Sequence, residues 1–93
     1  MAVRSGRYLA DYNGTTIEVD FQRNLLGLCS AYLVIGNERV DRGQTVWGTV
    51  RLRHTVDVDD STFDILVEFY EGWTGSKATL LIDGRPHPIH QMR

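Results

Sequence analysis

Between Ser61 and Tyr70 the chain reads S-T-F-D-I-L-V-E-F-Y, with Phe63, Ile65, Val67 and Phe69 at one parity and Asp64, Leu66, Glu68 and Tyr70 at the other. Side chains alternate between the two faces of an extended strand, so this pattern hides its first set only by lying in a sheet with one face against a core. The loop E-G-W-T-G-S and the strand K-A-T-L-L-I follow, and then Asp83-Gly84, a pair that tolerates positive φ and suits a two-residue hairpin turn. Asn13-Gly14 is a second such signal, between Arg7–Tyr12 and T-T-I-E-V-D-F-Q, where Ile17, Val19 and Phe21 alternate with Glu18, Asp20 and Gln22. Gly36-Asn37 is a third, of the glycine-first kind, between Cys29–Ile35 and a short polar edge strand Glu38–Arg42.

The remaining stretches complete an all-β reading. Gly43-Gln44 breaks the chain before a strand Thr45–His54, which places Val46, Val50 and Leu52 on one face and Trp47, Thr49, Arg51 and Arg53 on the other. Arg23–Leu28 is a loop or a bulged continuation of its strand, with Leu25, Leu26 and Leu28 placed to plug one end of a sandwich. Met1–Gly6 reads as a loose lead-in. No segment sustains a period of 3.6, so no long helix is expected. The fold class is an antiparallel β-sandwich or small barrel of about eight strands. Its 93 residues make one domain, with an ordered core from 7 to 90.

Composition removes several functional classes. A net charge of −2 gives no global field for nucleic acid or anionic membrane. All but one of the ten basic residues are Arg, the exception being Lys77, a bias that tracks GC-rich bacterial coding. The lone Cys29 has no disulfide partner within the chain and reads as a small buried hydrophobe. No apolar run approaches the ~20 residues that span a bilayer. M-A-V-R-S-G-R lacks a signal-peptide core. The expected location is the cytoplasm, without a membrane role.

Candidate chemistry is sparse. In the acidic loop Asp57, Asp59, Asp60, counting from Asp57 puts Asp59, Ser61 and Glu68 at calcium-loop ligand positions, but Thr62 stands where that loop needs Gly, and a solvated turn explains them. His54, His87 and His90 with Cys29 lack the paired cysteines of a structural zinc site. Cys29 or Ser61 with His54 has no spacing that favours a nucleophile beside its base. No metal, cofactor or catalytic residue is expected. The nine Gly fall mostly at turns; Gly48, in mid-strand, makes room for Phe69.

The register carries the one functional expectation. Centring the Thr45–His54/Ser61–Tyr70 hairpin on the acidic loop puts Arg53 opposite Asp64, Trp47 opposite Tyr70 and Gly48 opposite Phe69. The next hairpin puts Leu66 beside Leu81 and Glu68 beside Thr79. The outer face then gathers Trp47, Leu66, Tyr70 and Leu81, with Trp73 in the adjoining loop, as an apolar interface candidate. Arg51 and Arg53 beside Trp47 offer a nucleic-acid face, which Asp64 and Glu68 largely neutralise.

The succession R-Y-L-A-D-Y-N-G-T-T-I-E-V-D-F, A-Y-L-V-I-G-N-E-R-V, V-W-G-T-V-R-L, F-D-I-L-V-E-F-Y and L-L-I-D-G-R-P resembles, by strand and turn pattern, a domain of the Fas apoptotic inhibitory molecule family. The likeness covers Arg7 to Ile89. It implies an eight-stranded antiparallel sandwich and a non-enzymatic interaction domain, and it transfers no site residue. The expected function is a protein-interaction module whose partner is an unknown protein or a second copy. A small-molecule or lipid carrier holding its ligand between the sheets is the alternative, and nucleic-acid binding a weaker one.

Overall fold

A computed structural model describes residues 2–72 and 75–92. Its strands are β1 (Ala2–Tyr12), β2 (Thr15–Asn24), β3 (Cys29–Ile35), β4 (Glu38–Thr45), β5 (Gly48–Val58), β6 (Ser61–Gly72), β7 (Gly75–Ile82), β8 (Arg85–His87) and β9 (His90–Met92). They form two antiparallel sheets, ordered β4-β3-β2-β1-β9 and β5-β6-β7-β8, packed as a sandwich. Among the described residues there are nine strands, in keeping with the expected sandwich of about eight. Arg85–Met92 divides at Pro88, which has no N–H to donate to a ladder, and its two halves join different sheets.

Four two-residue turns set the architecture. Asn13-Gly14, Gly36-Asn37, Asp59-Asp60 and Asp83-Gly84 all have positive φ at both positions, between 47° and 79°. That is the type I′ geometry, whose twist matches the strands it joins. Gly36-Asn37 is therefore not the glycine-first turn expected from its sequence. Because consecutive strands reverse direction, these four turns share one end of the molecule. The connections after β2, β4 and β6 share the other.

The inner faces are those read from the alternation. Tyr8, Ile17, Val19, Phe21, Leu33, Leu52, Ile65, Val67, Phe69 and Leu80 are all buried between the sheets. Phe21 and Phe69 meet across the gap with ring centroids 5.0 Å apart, and Tyr8 meets Phe69 edge-on at 6.3 Å. These rings lie in the space between the two sheets.

Several boundaries differ from the sequence reading. Residues expected as a loose lead-in belong to β1, which pairs with β2 from Ala2 onward. Gly43 does not break the chain; it lies inside β4, where a Cβ would collide with Val50 Cγ1, so glycine permits the sheets to approach. β4 thus runs to Thr45 and β5 starts at Gly48, leaving Val46 and Trp47 between them. The β5–β6 hairpin is centred one residue later than expected, on Asp59-Asp60. Each residue keeps its face but changes its partner by two, so Arg53 faces Leu66, Thr55 faces Asp64, Thr49 faces Tyr70 and Gly48 faces Glu71. Room for Phe69 therefore does not explain Gly48, whose φ of 114° does. The β6–β7 register matches its expectation, with Leu66 opposite Leu81 and Glu68 opposite Thr79.

β4 is an edge of its sheet and carries a bulge, where the pairing shifts between Leu33 and Val34. Beside the bulge, Asp41 accepts hydrogen bonds from the backbone N–H of Arg42 (2.9 Å) and of Arg53 on β5 (2.8 Å). A side chain thereby bridges the corner between the sheets where no ladder runs.

Two substitutions test this account by urea unfolding. Asp60 holds a left-handed conformation that costs a residue with a side chain about 1–2 kcal/mol, so Asp60→Gly is expected to stabilise the fold by about 1 kcal/mol. Gly43→Ala is expected to destabilise it by about 1–3 kcal/mol through overpacking on Val50. A neutral Gly43→Ala would contradict the close approach.

Candidate functional site

Opposite the four tight turns, the β2–β3 and β4–β5 connections lie side by side, since Cys29 pairs with both Arg23 and Thr45. The first is closed by Asn24. Its Oδ1 accepts the N–H groups of Leu26 and Leu28, both at 3.0 Å, and its own N–H donates to Leu28 O at 3.0 Å. Gly27, at φ 87°, completes the loop. This hydrogen bonding turns Leu25 and Leu26 outward, to 78% and 91% exposure. The sequence reading placed them as a plug in the sandwich end; the loop is instead satisfied by Asn24 and leaves no segment to fold them back.

Arg23 ties the two connections together. Its guanidinium donates to Gly27 O and, at 2.9 Å, to Val46 O, while Cζ lies 4.8 Å from the centre of the Trp47 ring. The Thr45 hydroxyl donates to Trp47 O at 2.7 Å. Val46 and Trp47 are left 51% and 50% exposed. Leu25, Leu26, Val46 and Trp47 thus form one apolar crown on a rigid base.

Beneath the crown lies a buried polar cluster. Glu71, with 0% exposure, receives Arg4 Nη1 at 2.6 Å on one oxygen and the Cys29 thiol at 3.3 Å on the other, with Arg23 Nη2 at 3.7 Å. Burial, and then the hydrogen bond to Glu71 and its charge, push the Cys29 thiol up to about 12, against the opposing pull of Arg23 and Arg4. A thiol held protonated in this way is a donor in a structural network rather than a nucleophile.

Charge is distributed by end. Asp11, Glu38, Asp57, Asp59, Asp60 and Asp83 lie in or within two residues of the four tight turns, where, among the described residues, only Arg39 and Arg85 oppose them. At the crown end Arg4 and Arg23 share the buried Glu71, and Lys77 stands exposed near the start of β7. One end is acidic; the other is apolar with a cationic surround.

The sequence-derived interface residues are brought together only in part. Leu66, Leu81 and Pro86 form a row across β6, β7 and β8 on an outer face, with both leucines half-buried. Tyr70 is on the same face but beyond the Arg51–Glu68 ion pair of 3.2 Å, and its ring leans over Gly72. Trp47 does not oppose Tyr70; it belongs to the crown. Trp73 lies outside the described residues. Leu25, Leu26 and Val46 were missed, although an Asn-Leu-Leu-Gly turn with two adjacent leucines between antiparallel strands is a legible sign of apolar exposure.

Elsewhere, a groove of about 580 Å³ crosses the outer face of the other sheet, lined by Arg7, Asp20, Gln22, Tyr32, Arg39 and Met92. Its charges are already matched: Arg7 pairs with Asp20 at 3.2 Å and Glu18 at 3.5 Å, and Arg39 stacks on Tyr32 at 4.3 Å. Partial burial, and then Asp20, raise the Glu18 carboxyl, with Arg7 opposing. Among the described residues no three His, Cys, Asp or Glu side chains gather in an arrangement that holds a metal ion. No known protein family, curated protein or solved structure matches this chain.

The cluster makes two measurable demands. Glu71→Ala leaves Arg23 under the crown without its carboxylate, and is expected to cost about 3–5 kcal/mol in chemical unfolding. The raised Cys29 thiol favours the fold while it stays protonated. Its contribution is full below the ordinary thiol range near ~8.5 and is lost as pH rises toward 12. Iodoacetamide at pH 8 is accordingly expected to label the native protein at least ~100-fold more slowly than the urea-unfolded chain; equal rates would contradict the buried network.

Proposed function

We propose that this protein is a non-enzymatic binding module that meets its target with the end carrying Leu25, Leu26, Val46 and Trp47. The observation that carries this reading is their exposure. A leucine that is 91% exposed gains nothing by folding, and Leu25 and Val46 stand exposed with it on two adjoining connections, beside the half-exposed Trp47. The cluster below supports the same reading: Arg23 and Asn24 hold the loops in one conformation, which lowers the entropy cost of a contact. The strand-and-turn resemblance to the Fas apoptotic inhibitory molecule family points toward an interaction domain as well. The expected contact surface thus moves from the outer face of β5–β7 to the sandwich end, with Trp47 common to both.

Hydrophobic-interaction chromatography tests this without knowledge of the target. The wild type is expected to be retained, and a Leu25→Asp/Leu26→Asp double variant to elute early with its melting temperature within about 2 °C of wild type, because exposed positions contribute little to stability. Unchanged retention would remove the crown as the adhesive surface.

A further inference from the structure

We infer that the crown docks on an anionic lipid surface, an inference that rests on the binding-module reading above. Shape is the first argument. Leu25 and Leu26 project from a loop tip with water on almost every side, and Val46 and Trp47 stand on the neighbouring connection. A protein partner meets the fully buried centre of an interface with a surface of complementary shape. A bilayer takes in projecting tips with no complementary shape at all.

Chemistry is the second. The most exposed side chains are the aliphatic Leu25 and Leu26. On the neighbouring connection is Trp47, of the residue type that settles at the boundary between headgroups and acyl chains. Arg23 lies 4.8 Å from the centre of that ring, and Lys77 stands exposed near the start of β7, where lipid phosphates would lie. Aliphatic, aromatic and cationic groups gathered at one end match the acyl, boundary and phosphate chemistry of a monolayer.

Charge polarity is the third. The net charge of −2 would not draw the whole molecule to an anionic surface, but the acidic residues collect at the tight turns and leave the crown end cationic. The molecule is elongated, 44 × 23 × 22 Å, so an anionic surface attracts one end and repels the other, which orients it crown first. No membrane role was expected from the sequence, because nothing in it is long and apolar enough to span; peripheral docking requires no span.

Co-sedimentation of the full chain with vesicles decides the matter. Wild type is expected to pellet with phosphatidylcholine vesicles containing about one-third phosphatidylserine, and roughly tenfold less with pure phosphatidylcholine. Leu25→Asp/Leu26→Asp is expected to abolish pelleting, and Lys77→Glu to reduce it several-fold with the melting temperature unchanged. In a Trp73→Phe variant, acyl-brominated lipid is expected to quench Trp47 fluorescence. Absence of pelleting with the anionic vesicles overturns the inference. If the wild type is nevertheless retained on the hydrophobic resin and the double leucine variant is not, the binding module stands and only its lipid partner falls; if neither is retained, both readings fall. Equal pelleting with the two vesicle types overturns the anionic preference. Concentration-dependent self-association in sedimentation velocity, lost in the leucine variant and accompanied by no vesicle binding, makes the crown an interface between copies and overturns the lipid assignment.

Discussion

A carboxylate with no contact to water has to be matched, and matching Glu71 organises one whole end of this sandwich. Arg4 from β1, the Cys29 thiol from β3 and Arg23 from β2 converge on a residue of β6, so the partners come from one sheet and the carboxylate from the other. Removing any one partner leaves a buried polar group short, which makes the arrangement close to all-or-none. Arg23 then extends the constraint outward to Gly27, Val46 and Trp47. The exposed apolar crown is thereby tied to the buried cluster beneath it.

The two ends of the molecule follow different physical rules. At one, four type I′ turns reverse the chain in two residues each, at positions that demand positive φ and therefore select Gly, Asn and Asp. That selection also loads the end with acid. At the other end the positive-φ positions Gly27 and Gly48 are met by glycine, and Leu25, Leu26, Val46 and Trp47 occupy the rest of the two connections. Charge asymmetry in this protein is thus partly a by-product of turn chemistry, and it gives the crown an electrostatic setting that the overall net charge conceals.

Between the ends, the core is a continuous apolar layer centred on Phe21, Phe69 and Tyr8. Glycine is used where the layer is tightest: at Gly43 against Val50, and at Gly6, where a Cβ would stand 2.6 Å from Phe21 Cζ. The stability of the sandwich therefore rests on its interior, and the crown is free to be shaped by contact.

Alternation of apolar and polar residues in Thr15–Gln22 and Ser61–Tyr70 determined the strand faces by itself, because a period of two admits only one way to bury a face. Three of the four tight turns were legible for the same kind of reason: Asn-Gly, Gly-Asn and Asp-Gly advertise positive φ. Asp59-Asp60 did not, since neither residue requires that conformation, and the hairpin register slipped by two as a result. Faces survived the slip, so the core was right; neighbours did not, so Trp47 was set against Tyr70. The crown and the Glu71 cluster were beyond local pattern altogether. Arg4, Arg23, Cys29 and Glu71 are separated by up to 67 residues and meet only when two sheets close on each other. A side chain's face is fixed by its own strand, whereas its partner across a sandwich is fixed by how the sheets pack, and that only the tertiary structure decided.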